Sequence, residues 1–101
     1  MSAYLFANVE ITDPEAYEEY QRYVPSIIAA YGGRYLVRGG SVQRLEGDMP
    51  ASRLVILEFP DMAQLKAFYN SPEYRPLLIT RQHAASSNLL AIEGVASNPL
   101  P

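Results

Sequence analysis

"YGGRYLVRGG", residues 31–40, sets two glycine pairs around a short apolar segment that carries an arginine at each end. A phosphate-gripping loop would hold its glycines between a strand and the start of a helix, where backbone N–H groups face the anion. Here the order runs the other way. Upstream, "TDPEAYEEYQRYVPSIIAA" (12–30) repeats Tyr17, Tyr20, Val24, Ile27 and Tyr31 at helical spacing and leaves Glu15, Glu18, Glu19 and Arg22 for water. The residue before a proline is pushed out of helical geometry, so Asp13 is the expected N-cap and Pro14 takes the first helical position. Pro25 removes one backbone hydrogen bond and predicts a kink near Gln21 and Arg22, with the pattern continuing beyond it. Gly32 and Gly33 then fall where this helix must stop, and a glycine just past a helix end adopts the left-handed geometry that other residues resist. The glycines are therefore turn chemistry.

Working outward, "RYLVR" (34–38) reads as a strand. Gly39-Gly40 could close a hairpin between 34–38 and 41–46, or bend one long strand whose hairpin lies at "EGDMPAS" (46–52). The second reading is preferred, because "RLVILEF" (53–59) needs an antiparallel neighbour just before it. "AYLFANVEI" (3–11) alternates as a first strand. Asp61 is the expected cap of a second helical segment, with Met62, Leu65, Phe68 and Tyr69 as its apolar stripe. That segment restarts with Ser71 as cap and Pro72 at the first position. "SNLLAIEGV" (87–95) alternates as a last strand, and residues 96–101 form a tail with little to bury. The order predicts one domain over 1–95, a ferredoxin-like βαββαβ α+β fold. Its four-stranded antiparallel sheet carries the helices on one face.

Composition narrows the function. A chain of 101 residues with 49% apolar and 19% charged residues can bury one core. A net charge of -3 and a pI near 5.0 give no attraction to phosphate backbones or anionic lipid, so neither nucleic acid nor membrane is an expected partner. Without cysteine and with a single histidine, disulfides, thiolate chemistry and a histidine-rich metal site are not expected, and no cofactor motif is present. "MSAYLFANVEITDP" lacks a basic stretch and meets Asn8 and Glu10 too early for a signal peptide, so a cytoplasmic protein is the expectation.

Strand parity then assigns faces. Leu5, Ala7, Val9, Ile11, Tyr35, Val37, Val55, Leu57, Phe59, Leu90 and Ile92 are expected to face the helices. The opposite parity collects Tyr4, Phe6, Asn8, Glu10, Leu36, Arg38, Leu54, Ile56, Glu58, Leu89, Ala91 and Glu93. This second face is too apolar to stand open to water. Two such sheets meeting face to face would make a homodimer and enclose Asn8, Arg38, Glu58 and Glu93 in a shared interior.

Several blocks together, "DPEAYEEY", "YGGRYLVRGG", "LEG", "RLVILEFP", "YNSPEY" and "LLAIEG", resemble the family named domain of unknown function 1330 across nearly the whole chain. The resemblance implies a dimeric α+β barrel, in which two ferredoxin-like subunits pack their sheets together. It implies no settled activity. Wider relatives include cofactor-independent monooxygenases, lactone isomerases and haem-handling proteins, and fold analogy transfers no chemistry by itself.

Candidate catalytic residues are Arg38, to hold a carboxylate or enolate, with Glu58 or His83 to move a proton. Each has a plainer reading. Arg38 could pair with Glu10 or Glu58, Glu58 could be a structural ion-pair partner, and His83 could complement a helix C-terminus beside Arg81. Tyr4, Phe6, Asn8, Tyr69, Tyr74 and Glu93 are candidate ligand contacts, against packing or backbone-satisfying roles. Three classes stay open. The chain is a cofactor-independent isomerase, cyclase or monooxygenase of an acidic carbonyl compound, a non-catalytic binder of a small ligand such as an apolar acid or a haem-like molecule, or a structural homodimer with an interior salt-bridge network.

Overall fold

β1 (Ala3–Ile11) occupies the middle of the sheet because both of its edges find antiparallel partners. The computed structural model describes residues 1–95; the tail expected over 96–101 lies outside the described residues. Ala3, Leu5, Ala7 and Val9 are buried along one side of β1, as the alternation requires. The strand order is β2-β3-β1-β4, with β2 (Arg34–Arg38), β3 (Arg53–Phe59) and β4 (Ala85–Glu93) all antiparallel to their neighbours. Three helices, α1 (Pro14–Ala30), α2 (Met62–Tyr69) and α3 (Arg75–Ala84), complete a ferredoxin-like α+β fold.

The helix ends follow local chemistry. Asp13 accepts a hydrogen bond from the Ala16 N–H at 3.3 Å, Pro14 opens α1, and the helix continues through Pro25 to Ala30. At its end the Gly33 N–H bonds to Ile28 O and the Gly32 N–H to Ala29 O, the paired closure of a Schellman motif, with Gly32 at φ 80°. Gly33 is needed for a different reason: a β-carbon there would lie 2.6 Å from the Phe59 ring and 2.8 Å from Ile28. Asp61 caps α2 through the Gln64 N–H at 2.8 Å. Ser71 does bond the Tyr74 N–H, at 3.1 Å, but it closes a turn, and the third helix starts at Arg75 instead of Pro72. Pro76 suits that later start, since the first helical turn has no use for its missing N–H.

Two strand faces differ from expectation. In β4, Leu89 and Ala91 stand opposite Ala7 and Leu5 on the helix side, while Leu90 and Ile92 lie on the open face, 60% and 48% exposed. "LLAI" is apolar at both parities, so its alternation could not choose a face. The register is fixed elsewhere, by the N–H groups of Thr12 and Asp13 on Ala84 O at 2.8 and 2.9 Å. In β2 the pairing runs Tyr35 to Leu57 and then Val37 to Ile56, which makes Leu36 an extra residue. That bulge, expected at Gly39-Gly40, turns Arg38 to the helix side opposite Val55, the reverse of the sequence expectation. No strand continues through 41–46 either: β2 ends at Arg38, and residues 39–52 form a loop on which Leu45 is 90% exposed.

Candidate functional site

A cavity of about 40 Å³ lies between the helices and the sheet, its polar lining made by Arg38, Arg53, Arg81, Tyr20, Tyr35 and Tyr74 with Gln21. Each is delivered by a specific local feature. The bulge at Leu36 brings Arg38 to the helix side. Arg53 opens β3 opposite Val9, a core residue, and so starts on the same side. Tyr74, Leu78 and Arg81 fall three to four residues apart on the inward stripe of α3 and the turn before it, and Arg81 is only 5% exposed. Tyr20 comes from α1, its ring 5.4 Å from that of the buried Tyr17.

The contacts are those of a cation-rich site. Tyr20 and Tyr74 share a hydrogen bond of 2.8 Å, and Arg81 Nε donates to the Tyr74 oxygen at 3.4 Å. The Arg38 guanidinium lies 4.3 Å above the Tyr35 ring, and that of Arg53 5.9 Å from the Tyr17 ring. Arg53 Nε is buried and has no hydrogen-bond partner among the described residues. The ion pairs among those residues are Arg22 with Glu18 and Arg34 with Glu58, so none of the cavity arginines has a carboxylate. Burial, reinforced by Tyr74, raises the Tyr20 phenol well above its ordinary value, and burial raises Tyr35 despite the opposing pull of Arg38. Both tyrosines remain hydrogen-bond donors at neutral pH. Of the three, Arg81 is withdrawn from water, and a buried guanidinium without a counter-charge is costly; an anion in the cavity would relieve that cost.

The expected residues do not assemble as one cluster. Arg38 and Tyr74 reach the cavity. Tyr69 lines a neighbouring groove beside β4, its ring 5.9 Å from that of Tyr74. Glu58 and Tyr4 lie on the open sheet face: Arg34 Nε donates to Glu58 Oε1 at 2.7 Å and Tyr4 donates to Oε2 at 3.1 Å. Hydrogen bonding from Arg34, then from Tyr4, holds the Glu58 carboxyl below its ordinary value, which opposes a role as proton acceptor. Phe6 is half-buried on the same face, opposite Ile56 and Leu90. Asn8 satisfies backbone groups. It donates to Pro50 O at 2.6 Å and accepts from the Ser52 N–H at 3.2 Å, clipping the base of the 39–52 loop. His83 is exposed in the last turn of α3 and lines none of these cavities. Glu93 stands opposite Ala3 at the end of β4, on the helix-side parity. The shared interior expected of Asn8, Arg38, Glu58 and Glu93 is thus divided between two faces.

Arg53, Arg81, Tyr20 and Tyr35 were missed as site residues. Their signals were present: Arg53 shares parity with Val55, Leu57 and Phe59, and Arg81 lies three residues after the buried Leu78. Among the described residues there is no acidic, histidine or cysteine cluster that could hold a metal ion, and no helix is long and apolar enough to cross a membrane.

The family model described as a domain of unknown function, DUF1330, matches residues 2–95. No curated protein matches the sequence. In structure the chain is similar to a protein of unknown function from Rhodopseudomonas palustris, with 23% identity, a TM-score of 0.76, and coverage of 94% of this chain and 83% of that one. It is also similar to SnoaB, a cofactor-independent oxygenase from Streptomyces nogalater, with 11% identity, a TM-score of 0.60 and 98% of each chain covered. A dimeric ferredoxin-like protein of unknown function from Jannaschia sp. CCS1 aligns at 14% identity and a TM-score of 0.64, over 93% of this chain and 100% of that one. At these identities the likeness carries the fold alone.

Proposed function

Because this chain belongs to the DUF1330 family, whose description names no activity, its function has to be read from its own cavity, and we propose that each protomer binds a small organic acid between its helices and its sheet. The observation that carries this reading is the convergence of Arg38, Arg53 and Arg81 on one cavity with no carboxylate partner among the described residues. A volume of about 40 Å³ has room for roughly one to three water-sized groups. That suits the charged end of a ligand, with its remainder at the mouth beside the exposed Arg38. Arg38 keeps its proposed role, from the helix side of the sheet. Turnover of an acidic carbonyl compound without cofactor is the enzymatic form of the reading, and SnoaB, a cofactor-independent oxygenase, shares the fold. The binding-only form is favoured by the lining itself, which holds no carboxylate or imidazole among the described residues.

The protomer acts as a homodimer in the cytoplasm, joined through the open sheet face. Support comes from the apolar side chains on that face, from the dimeric ferredoxin-like neighbour, and for the compartment from the lack of cysteine. The structural-dimer reading would give Arg34, Glu58 and Tyr4 an interface role and leave the cavity empty. Calorimetry and thermal shift with benzoate, pyruvate and acetoacetate test the proposal. At least one acid is expected to raise the melting temperature, and Arg38→Gln to weaken it about tenfold or more. Unchanged melting with every acid would remove the ligand reading. Substrate loss by chromatography separates turnover from binding.

A further inference from the structure

The polar lining of the cavity combines cations, phenols and the Gln21 amide and, among the described residues, contains no group able to take a proton at neutral pH. Its hydroxyl pair has one donor to spare. Tyr20 and Tyr74 share a single hydrogen bond in which either oxygen can be the donor, so that bond uses one of two phenolic protons. Arg81 Nε already supplies a donor to the Tyr74 oxygen, which leaves no call for the second proton there. Whichever way the shared bond runs, one O–H remains beside a buried guanidinium. Burial keeps the Tyr20 phenol protonated, so it stays a donor.

A spare O–H and a guanidinium without a carboxylate both want an oxygen that accepts and carries negative charge. Carboxylates arrive already charged. A weaker oxygen acid does not, and a site with this lining would bind its ionised form far better than its neutral form. Resting on the acid-binding reading above, we propose that the cavity also takes phenols and enols and holds them as their anions, the oxyanion lying against the Tyr20, Tyr74 and Arg81 cluster. The ligand O–H bond breaks, its electron pair stays on the oxygen, and the proton goes to bulk water. The cavity admits the oxygen end, and the ring or chain remains at the mouth near Arg38. Charge stabilisation is here the whole of the chemistry, and no base residue is needed.

The test uses 4-nitrophenol, whose phenolate absorbs visible light where the neutral phenol does not. The full chain and 4-nitrophenol are titrated across pH, with benzoate binding measured in parallel by calorimetry. The ionisation midpoint of bound nitrophenol is expected to fall by about one pH unit or more, equivalent to phenolate binding roughly tenfold tighter than the phenol. Arg81→Met and the double variant Tyr20→Phe, Tyr74→Phe are each expected to remove most of that displacement, with circular dichroism and melting checking that both fold. The double variant is required because either hydroxyl alone leaves a free donor. Benzoate binding with an unmoved nitrophenol midpoint, or with no nitrophenol binding, overturns this inference and leaves the acid-binding reading standing. Failure of both ligands overturns both. A displacement that persists in both variants overturns the assignment to this cluster.

Discussion

The guanidinium carbon of Arg53 lies 2.8 Å from the place a β-carbon on Gly39 would occupy, so the side chain crosses the loop where that residue has none. Gly39 also has φ 70°, a conformation that costs other residues about 1 kcal/mol. Gly39→Ala is therefore expected to lower stability by roughly that amount and to push Arg53 out of the cavity. In a paired measurement, urea melts should move modestly while acid affinity falls several-fold. Unchanged affinity would mean that the Arg53 position does not matter to the ligand.

The Gly39 position shows what the sequence could and could not reveal. The element order, the N-caps at Asp13 and Asp61 and the glycine stop after α1 depend on neighbours a few residues apart, and they were legible. Face assignment depends on register, which a single extra residue reverses for everything beyond it. Leu36 did this to Arg38, and the contact of Ala84 O with Thr12 and Asp13 did the equivalent for β4. Both are long-range facts that no alternation inside a five- or nine-residue strand contains. The cavity was hidden for the same reason: Arg38, Arg53 and Arg81 are far apart in sequence, and only packing brings them to one cavity.

The Arg34–Glu58 pair predicts an acid-sensitive contribution to stability. Glu58 has its folded value depressed, so its contribution is fully present above the unfolded glutamate value of about 4.3 and is lost as pH falls through the lower folded value. Urea melts of the wild type and Glu58→Gln should differ most above that pH and converge in stronger acid. A difference that grows on acidification would contradict the assignment.

Asn8 predicts a loop that opens without global unfolding. Its side chain makes two hydrogen bonds to the chain at Pro50 and Ser52, each worth about 1 kcal/mol net. Asn8→Ala should speed limited proteolysis within residues 39–52, with a loss of overall stability of roughly 1–2 kcal/mol. Equal cleavage rates in the two proteins would show that the loop is held by other contacts.

Tyr74→Phe separates the packing role of this side chain from its polar role. The ring is 1% exposed and lies 4.5 Å from that of Phe68, so Phe preserves the aromatic contact. What is lost is the oxygen that accepts from Arg81 and bonds to Tyr20. Leaving the buried guanidinium short of an acceptor should cost about 1–3 kcal/mol in urea denaturation, and a bound acid should recover part of it. A fully stable variant would place no weight on that oxygen.

The open sheet face gives the prediction on assembly. Phe6 stands between Ile56 and Leu90 in the ladder, near the centre of the apolar surface proposed to meet a second copy. Phe6→Glu would force a carboxylate into that interface, where the described neighbours at this rung offer no cation, while in an isolated protomer the same side chain would face water. The fold should survive and the association should not. A loss of about 2 kcal/mol or more, roughly thirtyfold in the dissociation constant, is expected in sedimentation velocity across a concentration series. Because the cavity proposed to bind the acid lies on the other side of the sheet, the monomeric variant should still bind whatever acid the wild type binds. Loss of dimer and ligand together would place the two sites in one cooperative unit instead of on independent faces.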